Sequence, residues 1–361
     1  MIPIAKPLIT QEEIDSVIDV LKSGVIAEGP RVKEFEEEFA RYVGVDHAIA
    51  VNSGTAALHV ALLAGDIGKD DEVITTPFTF IATANAVLFT GGRPVFADIE
   101  PDTYNIDPED IKNKITKKTK AIIPVDLYGH PAEYKAIMDI AEDHGLAVIE
   151  DSCQAHGAEY RGRKAGSFGT GCFSFYPTKN MTTSEGGIIT TDDKELADRA
   201  RMIKSHGSKV RYYHEMLGFN LRMTDIGAVI GLAQLKKIDY YNEKRIANST
   251  LLTEKLRDVE GIVTPVVRPV CKHVFHQYTI RVTDGFGRTR DDTIKALNDA
   301  GIGTGIYYPL PVHLQPFYRD IGYDESHPRS ELASRQVISL PVHPSVTEED
   351  IDRIASVIRG L

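Results

Sequence analysis

The chain has 361 residues, of which 42% are hydrophobic and 26% charged, and its formal net charge is −11. This length predicts about two domains, and the acidic balance opposes non-specific binding to nucleic acid, which needs a basic face. The three cysteines (Cys153, Cys172, Cys271) match neither a disulfide framework nor a zinc site, and no signal peptide or membrane-spanning stretch is visible. We therefore expect a cytoplasmic enzyme with no membrane attachment.

Short β-like runs alternate with amphipathic helical patterns between residues 47 and 193. Such alternation predicts crossover connections and a mostly parallel sheet with helices on both faces. The run 146–151 is apolar until its acidic end, so its polar residues fall at the carboxyl edge, where open α/β sheets bind ligands. The predicted strands are 47–51, 71–76, 94–99, 120–128, 146–151, 171–176 and 186–193, and the predicted helices are 37–44, 133–145 and 194–207.

The region from Thr224 to about Asp258 contains no proline, and its apolar residues recur at helical spacing. This pattern predicts one long helix, or two helices that break near Tyr240. A second strand and helix alternation follows and indicates a smaller α/β domain. Its predicted elements are strand 276–282, helix 291–301, strand 305–310 and helix 347–360. We predict a large domain over 1–245, including the N-terminal segment, and a small C-terminal domain over 246–361.

Lys179 stands out because apolar and small residues flank it, after a β-like run and before a Thr/Ser/Glu/Gly stretch. Most lysines are solvated surface residues, but a desolvated amine at a sheet edge has a lowered pKa and is nucleophilic. Such an amine forms a Schiff base with an aldehyde cofactor. Asp151 ends a buried strand 28 residues earlier and is either a turn residue or the carboxylate that keeps a pyridinium nitrogen protonated, as pyridoxal 5′-phosphate (PLP) requires.

The segment NSGTAALHVALL (52–63) is suited to hold a phosphate. It follows the first predicted strand, makes a small Gly–Thr turn and opens a helix at Thr55, and helix N-termini bind anions through their free amides. A Gly–Thr turn alone is weak evidence, since any strand–helix loop can contain one. Ser174, which alternates with Phe173 and Phe175, could add a hydroxyl.

Together these segments resemble the DegT/DnrJ/EryC1/StrS family of PLP-dependent nucleotide-sugar aminotransferases, which have the aspartate aminotransferase type I fold. The resemblance covers essentially the whole chain, in order, and the combination of blocks is highly specific. The matching blocks are IPIAKPLI with Glu13, GP-x-V-x-x-FE (29–36), NSGTAAL (52–58), FTFIATANAV (78–87), PVFADI (94–99), AIIPVDLYG (121–129), IEDSCQAHGA (149–158), FSFYPTKNMTTSEGG (173–187), GFNLRMTDI (218–226), YYPLPVH (307–313) and SLPVHP (339–344).

The resemblance assigns roles on and around the cofactor ring. It makes Lys179 the Schiff-base lysine and proton carrier, and Asp151 the partner of the pyridinium nitrogen. Gln154 would lie near the phenolic oxygen or pack on the ring, and Phe80 would stack on its other face. This sequence reads TTPFTF where many relatives have a proline–small–aromatic order, so Phe78 is an alternative to Phe80 for stacking.

The resemblance also assigns the phosphate and substrate contacts. Gly54, Thr55 and Ser174 would hold the phosphate, and Asn220 would reach it from the neighbouring subunit of a homodimer. By the same resemblance, Tyr308 and His313 match substrate-side positions of the family, and we expect both to contact the substrate.

The resemblance implies transfer of an amino group from an amino acid, glutamate by expectation, to a nucleotide-linked keto-deoxyhexose, with pyridoxamine phosphate (PMP) as the intermediate form. The opening IPIAKPLI favours amination at C4 over C3, and the product would enter surface polysaccharide, glycan or secondary-metabolite synthesis. The family's PMP-dependent dehydratases are an alternative, but they carry histidine where this chain has Lys179. A DNA-binding regulator and an idle binding module are further alternatives, which the acidic balance and the complete residue set respectively oppose.

Overall fold

The computed structural model describes all 361 residues. Thirteen α-helices and three short 3₁₀ helices alternate with the strands, and most of the long helices are amphipathic with one buried face. The helices are α1 Gln11–Ser23, α2 Pro30–Val43, α3 Gly54–Ala64, α4 Ala82–Phe89, α5 Pro108–Lys114, α6 Tyr134–His144, α7 Lys194–Ile203, α8 Asp225–Leu235, α9 Ile238–Leu256, α10 Arg290–Asp299, α11 Pro316–Asp320, α12 Pro328–Gln336 and α13 Glu348–Arg359. The 3₁₀ helices are Leu127–Gly129, Asp284–Phe286 and Val312–Leu314.

The strands form one large sheet and three small ones. The strands are β1 His47–Val51, β2 Glu72–Thr75, β3 Arg93–Phe96, β4 Thr119–Ile123, β5 Ala147–Asp151, β6 Glu159–Tyr160, β7 Arg163–Lys164, β8 Thr170–Ser174, β9 Gly187–Thr191, β10 Ser208–Val210, β11 Tyr213–His214, β12 Ile262–Val263, β13 Cys271–Lys272, β14 Tyr278–Val282 and β15 Val337–Leu340.

The large sheet has seven strands in the order β1-β9-β8-β5-β4-β2-β3. The pairs β2–β3, β2–β4, β4–β5 and β5–β8 are parallel, whereas β9 runs antiparallel to both β8 and β1. The predicted mostly parallel sheet, and with it the predicted fold class, is therefore confirmed. All seven predicted strands of this region are present, but the predicted strand 120–128 ends at Ile123, and its last two residues lie in the 3₁₀ helix Leu127–Gly129.

The sheet brings the carboxyl ends of β5 and β8 side by side. Asp151 pairs with Cys172 in the parallel register of these strands, and the chain leaves β8 two residues later at Ser174. The first turn of α3 lies close to this edge, because an added Cβ on Gly54 would lie 2.6 Å from Cβ of Ser174. The two predicted ligand-binding segments are therefore adjacent.

The helical region after Thr224 consists of two helices, so the second of the two predicted alternatives is correct, although the break lies earlier than Tyr240. α8 ends at Leu235, and Lys237 has φ −110° and ψ −8° before α9 begins. The Lys237 ammonium lies 2.9 Å from the buried Glu13 carboxylate. The break therefore places a cation beside an acid that would otherwise be buried without one.

A second hydrophobic core lies in the C-terminal part of the chain, where α9, α10 and α13 pack against β12, β14 and β15. Ile2 also belongs to this core, and its N–H donates to the carbonyl of Gly301. The predicted strand 305–310 is wrong: Gly305 makes only an isolated bridge to Ser339, and Pro309 lacks the N–H that a ladder requires. The division at residue 245 stays a prediction. No helix combines the length and apolar character needed to span a membrane.

Candidate active site

A cleft of about 440 Å³ opens at the carboxyl edge of the large sheet. Eight of the ten residues that the sequence singled out line it, although they come from five separate segments of the chain. These residues are Gly54, Thr55, Phe80, Asp151, Gln154, Ser174, Lys179 and Tyr308. A larger groove of about 900 Å³ lies between α1, α2 and α8, but it contains none of the ten. Because the predicted residues meet in the smaller cleft, this cleft is the candidate active site.

Asp151 ends β5, and the residue is only 5% exposed. Its Oδ2 accepts a 2.6 Å hydrogen bond from the hydroxyl of Thr83 on α4, and its Oδ1 accepts a weaker one from the N–H of Cys153 at 3.3 Å. Thr83 is in turn 3.0 Å from the hydroxyl of Thr79. These contacts fix the carboxylate at the edge of the cleft without pairing it to a cation of the chain. Asp151 is thus available to a cationic group of a ligand.

Lys179 lies in the loop between β8 and β9. Its backbone N–H donates to the carbonyl of Tyr176 at 2.9 Å. The next residue, Asn180, anchors the loop, because its side-chain amide donates to the side-chain oxygen of Asn242 at 2.8 Å. Burial lowers the pKa of the Lys179 amine, and the nearby Cys153 and Asp151 partly oppose that shift. A lowered pKa favours the neutral form of the amine, which is both a nucleophile and a base.

The turn before α3, which we call the anion cradle, presents the donors that an anion-binding site requires. Ser53 caps the helix, because its hydroxyl accepts the N–H of Ala56 at 3.1 Å. The amides of the first helical turn, including those of Gly54 and Thr55, have no intrahelical acceptor and point out of the helix end. Gly54 is required by the close approach of β8, since a Cβ there would meet Ser174 at 2.6 Å. The cradle therefore combines helix amides with the hydroxyls of Thr55 and Ser174.

Gln154 and Tyr308 join the two sides of the cleft. The Gln154 side chain accepts the N–H of Tyr128 at 2.9 Å and donates to the hydroxyl of Tyr308 at 3.2 Å. Phe80 is 55% exposed and lines the cleft, whereas Phe78 is fully buried and does not line it. Of the two aromatic alternatives, Phe80 is the one whose ring is available to a ligand.

Two predicted residues lie outside the cleft of their own chain. Asn220 is exposed and forms an isolated bridge with Ser205. His313 is completely buried, with its ring centroid 4.7 Å from that of His327 and its Nε2 3.4 Å from Glu331. The structure does not support a direct substrate contact for His313, because packed side chains enclose its ring.

The sequence reasoning missed two residues of this site. Thr83 lies within the FTFIATANAV block but carried no signal of its own, and its bond to Asp151 joins positions 68 residues apart. His276 lines the cleft beside Lys179, yet in the sequence it was only the first residue of a predicted strand and carried no functional signal. Neither could be found without the tertiary contacts.

The donor set fits PLP. PLP needs an amine for its aldehyde, a carboxylate for its ring nitrogen, an aromatic side chain against its ring and an anion site for its phosphate. The cleft presents Lys179, Asp151, Phe80 and the α3 turn together. The clash that a Cβ on Gly54 would create with Ser174 shows that only glycine lets the α3 turn pack this closely against β8.

Three relatives place these features in a family. GDP-perosamine synthase from Caulobacter vibrioides is 41% identical over 363 residues, covering 99% of this chain and 97% of that protein. The spore coat polysaccharide biosynthesis protein SpsC from Bacillus subtilis is 41% identical over 377 residues, covering 100% and 97%. The structure of DesV from S. venezuelae, solved with a ketimine intermediate, superposes with a TM-score of 0.94 at 40% identity, covering 97% of this chain and 94% of DesV.

The cofactor follows from the same comparisons, since a further solved neighbour of this fold is known in both PLP and PMP forms. The family model for the DegT/DnrJ/EryC1/StrS aminotransferase family matches residues 7–359. The fold, the cleft and these matches agree over nearly the whole chain. The protein belongs to the DegT/DnrJ/EryC1/StrS aminotransferase family and is a PLP-dependent sugar aminotransferase.

Proposed function

We propose that the protein transfers an amino group from L-glutamate to the keto group of a nucleotide-linked deoxyhexose, at C4 in preference to C3. The observation that carries the proposal is the convergence of Lys179, Asp151 and the α3 anion cradle on one cleft. The relatives named above support a sugar acceptor, and the opening IPIAKPLI supports C4 by resemblance. The glutamate donor rests on the family resemblance alone.

The chain's own residues would divide the work as follows. The first amides of α3, with Thr55 and Ser174, hold the phosphate of the cofactor, and Phe80 covers one face of its ring. The Asp151 carboxylate holds a proton on the ring nitrogen. When bound, PLP supplies an electron sink that stabilises negative charge on the donor's α-carbon.

Lys179 would carry the proton in both halves of the reaction. Its Nζ accepts the proton from the α-carbon of the donor and later delivers one to the sugar carbon that receives the amine. This base must be neutral to accept a proton, and its burial favours that state. A lysine at this position favours transamination over the dehydration catalysed by relatives that carry histidine here.

We further propose that the active site is completed in a homodimer, because Asn220 is exposed and lies outside its own cleft. The amino sugar would serve polysaccharide, glycan or secondary-metabolite synthesis, with SpsC supporting the first of these. The cytoplasmic location stays a prediction from the sequence.

The proposed function is tested by incubating the purified, PLP-loaded protein with glutamate and a panel of nucleotide-linked 4-keto and 3-keto sugars. We expect 2-oxoglutarate and an amino sugar to form in equal amounts with a 4-keto substrate. Exclusive turnover of a 3-keto sugar would contradict the C4 assignment, and release of water from the sugar without amine transfer would identify a dehydratase.

A further inference from the structure

His276 lies beside Lys179 and has a ring nitrogen without a hydrogen-bond partner. Its side chain lines the cleft together with Lys179, although the residue is only 6% exposed. Its Nδ1 is buried and has no partner, while its Nε2 lies 3.4 Å from the side-chain nitrogen of Gln277. Buried polar atoms of folded proteins are nearly always paired, so an unpaired one at the wall of a ligand cleft indicates a group that the ligand satisfies.

A buried cation lies directly behind this histidine. Arg245 on α9 is 6% exposed, and one of its terminal nitrogens donates to the carbonyls of Phe275 at 3.2 Å and His276 at 3.4 Å. Its Nε has no partner, and none of the ion pairs of the chain includes it. Buried charges are normally neutralised by an opposite charge, so Arg245 leaves a positive potential that the chain itself does not cancel.

The other groups around His276 do not cancel this potential. Arg245 is the permanent cation that acts on its ring, and Lys179 acts on it in its protonated form. The third titratable neighbour, His156, is itself buried. Burial, Lys179 and Arg245 together lower the pKa of His276 well below its usual value, so the ring is neutral and retains one N–H. No acidic side chain is among the groups that act on this ring. A neutral N–H donor under a positive potential recognises an anion better than it recognises a sugar hydroxyl.

We propose that His276, with Arg245 behind it, forms the subsite for a carboxylate group of the amino donor. The inference rests on the proposed function, because that function requires the donor's amino group to reach the position of the Lys179 nitrogen. The carboxylates of the donor must then lie within a few bonds of that position, where His276 lines the same wall. The nucleotide sugar carries its charges on the diphosphate, away from the keto carbon, and does not need this subsite.

The test measures binding of glutarate, a dicarboxylate that has no amino group and cannot react, to the PLP-loaded protein by calorimetry. His276→Phe keeps a ring of similar size but removes the donor, and His276→Asn restores an N–H near the position of Nδ1. Loss of a hydrogen bond to a charged group corresponds to about a tenfold or greater change in a dissociation constant. We expect His276→Phe to weaken glutarate binding by at least about tenfold and to raise the KM for glutamate in parallel, and His276→Asn to recover most of both.

His59→Phe is the matched control. His59 is also a partly buried histidine with an unpaired Nε2 and with a pKa that burial lowers, but it packs between Phe89 and Phe219 outside the cleft. We expect this variant to bind glutarate as the parent does, and we expect the KM for the keto sugar to change less than about twofold in all three variants.

Unchanged glutarate binding in His276→Phe, or an equal rise in the KM values for glutamate and sugar, would overturn the subsite. Failure of the parent protein to bind glutarate would overturn it as well. If the parent aminates no keto sugar but its glutarate binding still depends on His276, the carboxylate subsite stands and the proposed acceptor is wrong.

Discussion

The hydroxyl of Thr83 donates a 2.6 Å hydrogen bond to Oδ2 of Asp151, joining the start of α4 to the end of β5 across the cleft wall. Both residues are buried, so water does not compete for this bond. Thr83 therefore acts as a positioning residue for the carboxylate that is to face the cofactor ring.

Replacing Thr83 by valine keeps the shape of the side chain and removes the donor. A hydrogen bond to a charged group contributes about 1.5–3 kcal/mol, so we expect kcat/KM to fall about tenfold or more. Thr83→Ser retains the hydroxyl and should restore most of the rate. Steady-state kinetics and the absorption spectrum of the bound cofactor measure the effect, and equal activity of the valine and serine variants would show that the bond is only structural.

Asp151→Asn removes the charge that would hold the ring-nitrogen proton while leaving the size of the side chain unchanged. Losing one such electrostatic contact costs about a hundredfold or more in rate. We expect turnover with glutamate to fall by at least this amount, whereas the dissociation constant of PLP should change far less. Near-normal turnover of this variant would reduce Asp151 to a turn residue at the end of β5.

Gly54→Ala tests the anion cradle. The added Cβ would lie 2.6 Å from Cβ of Ser174 and 3.0 Å from Sγ of Cys153, so the α3 turn must move away from β8. We expect the affinity for PLP, measured by equilibrium dialysis, to fall about tenfold or more. Gly68→Ala is the control because a Cβ there meets no atom within 4 Å. Equal PLP affinity in the two variants would argue against a cradle at Gly54.

If Asn220 contributes to the active site of the neighbouring subunit, mixed dimers of two inactive variants should recover a defined fraction of activity. Lys179→Ala inactivates its own site, and Asn220→Asp should repel the phosphate in the neighbouring site, so each variant alone should be inactive or badly impaired. If subunits of a C2 dimer mix at random, half of the dimers are mixed and one of their two sites is intact. We therefore expect about a quarter of all sites to recover activity. No recovery, with mass spectrometry confirming mixed dimers, would show that Asn220 serves its own chain.

The large sheet could be predicted because strands buried on both faces are continuous apolar runs that amphipathic helices separate. β5 illustrates this: Val148 and Ile149 are buried, and the polar end at Asp151 marks the ligand edge. The segment 305–310 misled the prediction because its apolar and aromatic residues resemble a strand. Tyr307 and Tyr308 instead pack against the core around Phe78, and Pro309 prevents a regular ladder.

Lys179, Asp151 and the turn at Gly54 could be predicted because their segments have a recognisable composition. Phe80, Gln154 and Tyr308 were predicted only through the family resemblance. His276 and Thr83 could not be predicted, since their roles arise from contacts between elements that are distant in the sequence. His313 shows the opposite case, because its motif suggested a substrate contact while packing against His327 and Glu331 encloses it.

The central claim is that Lys179, in the cleft at the end of β8, is the residue that holds PLP and moves the proton. Borohydride reduction of the PLP-loaded protein fixes the carbon–nitrogen link between cofactor and lysine, and peptide mapping then locates the pyridoxyl group. We expect a single labelled peptide with the modification on Lys179 and no label in Lys179→Ala. A pyridoxyl group on another lysine, or an unlabelled parent protein that is saturated with PLP, would contradict the assignment.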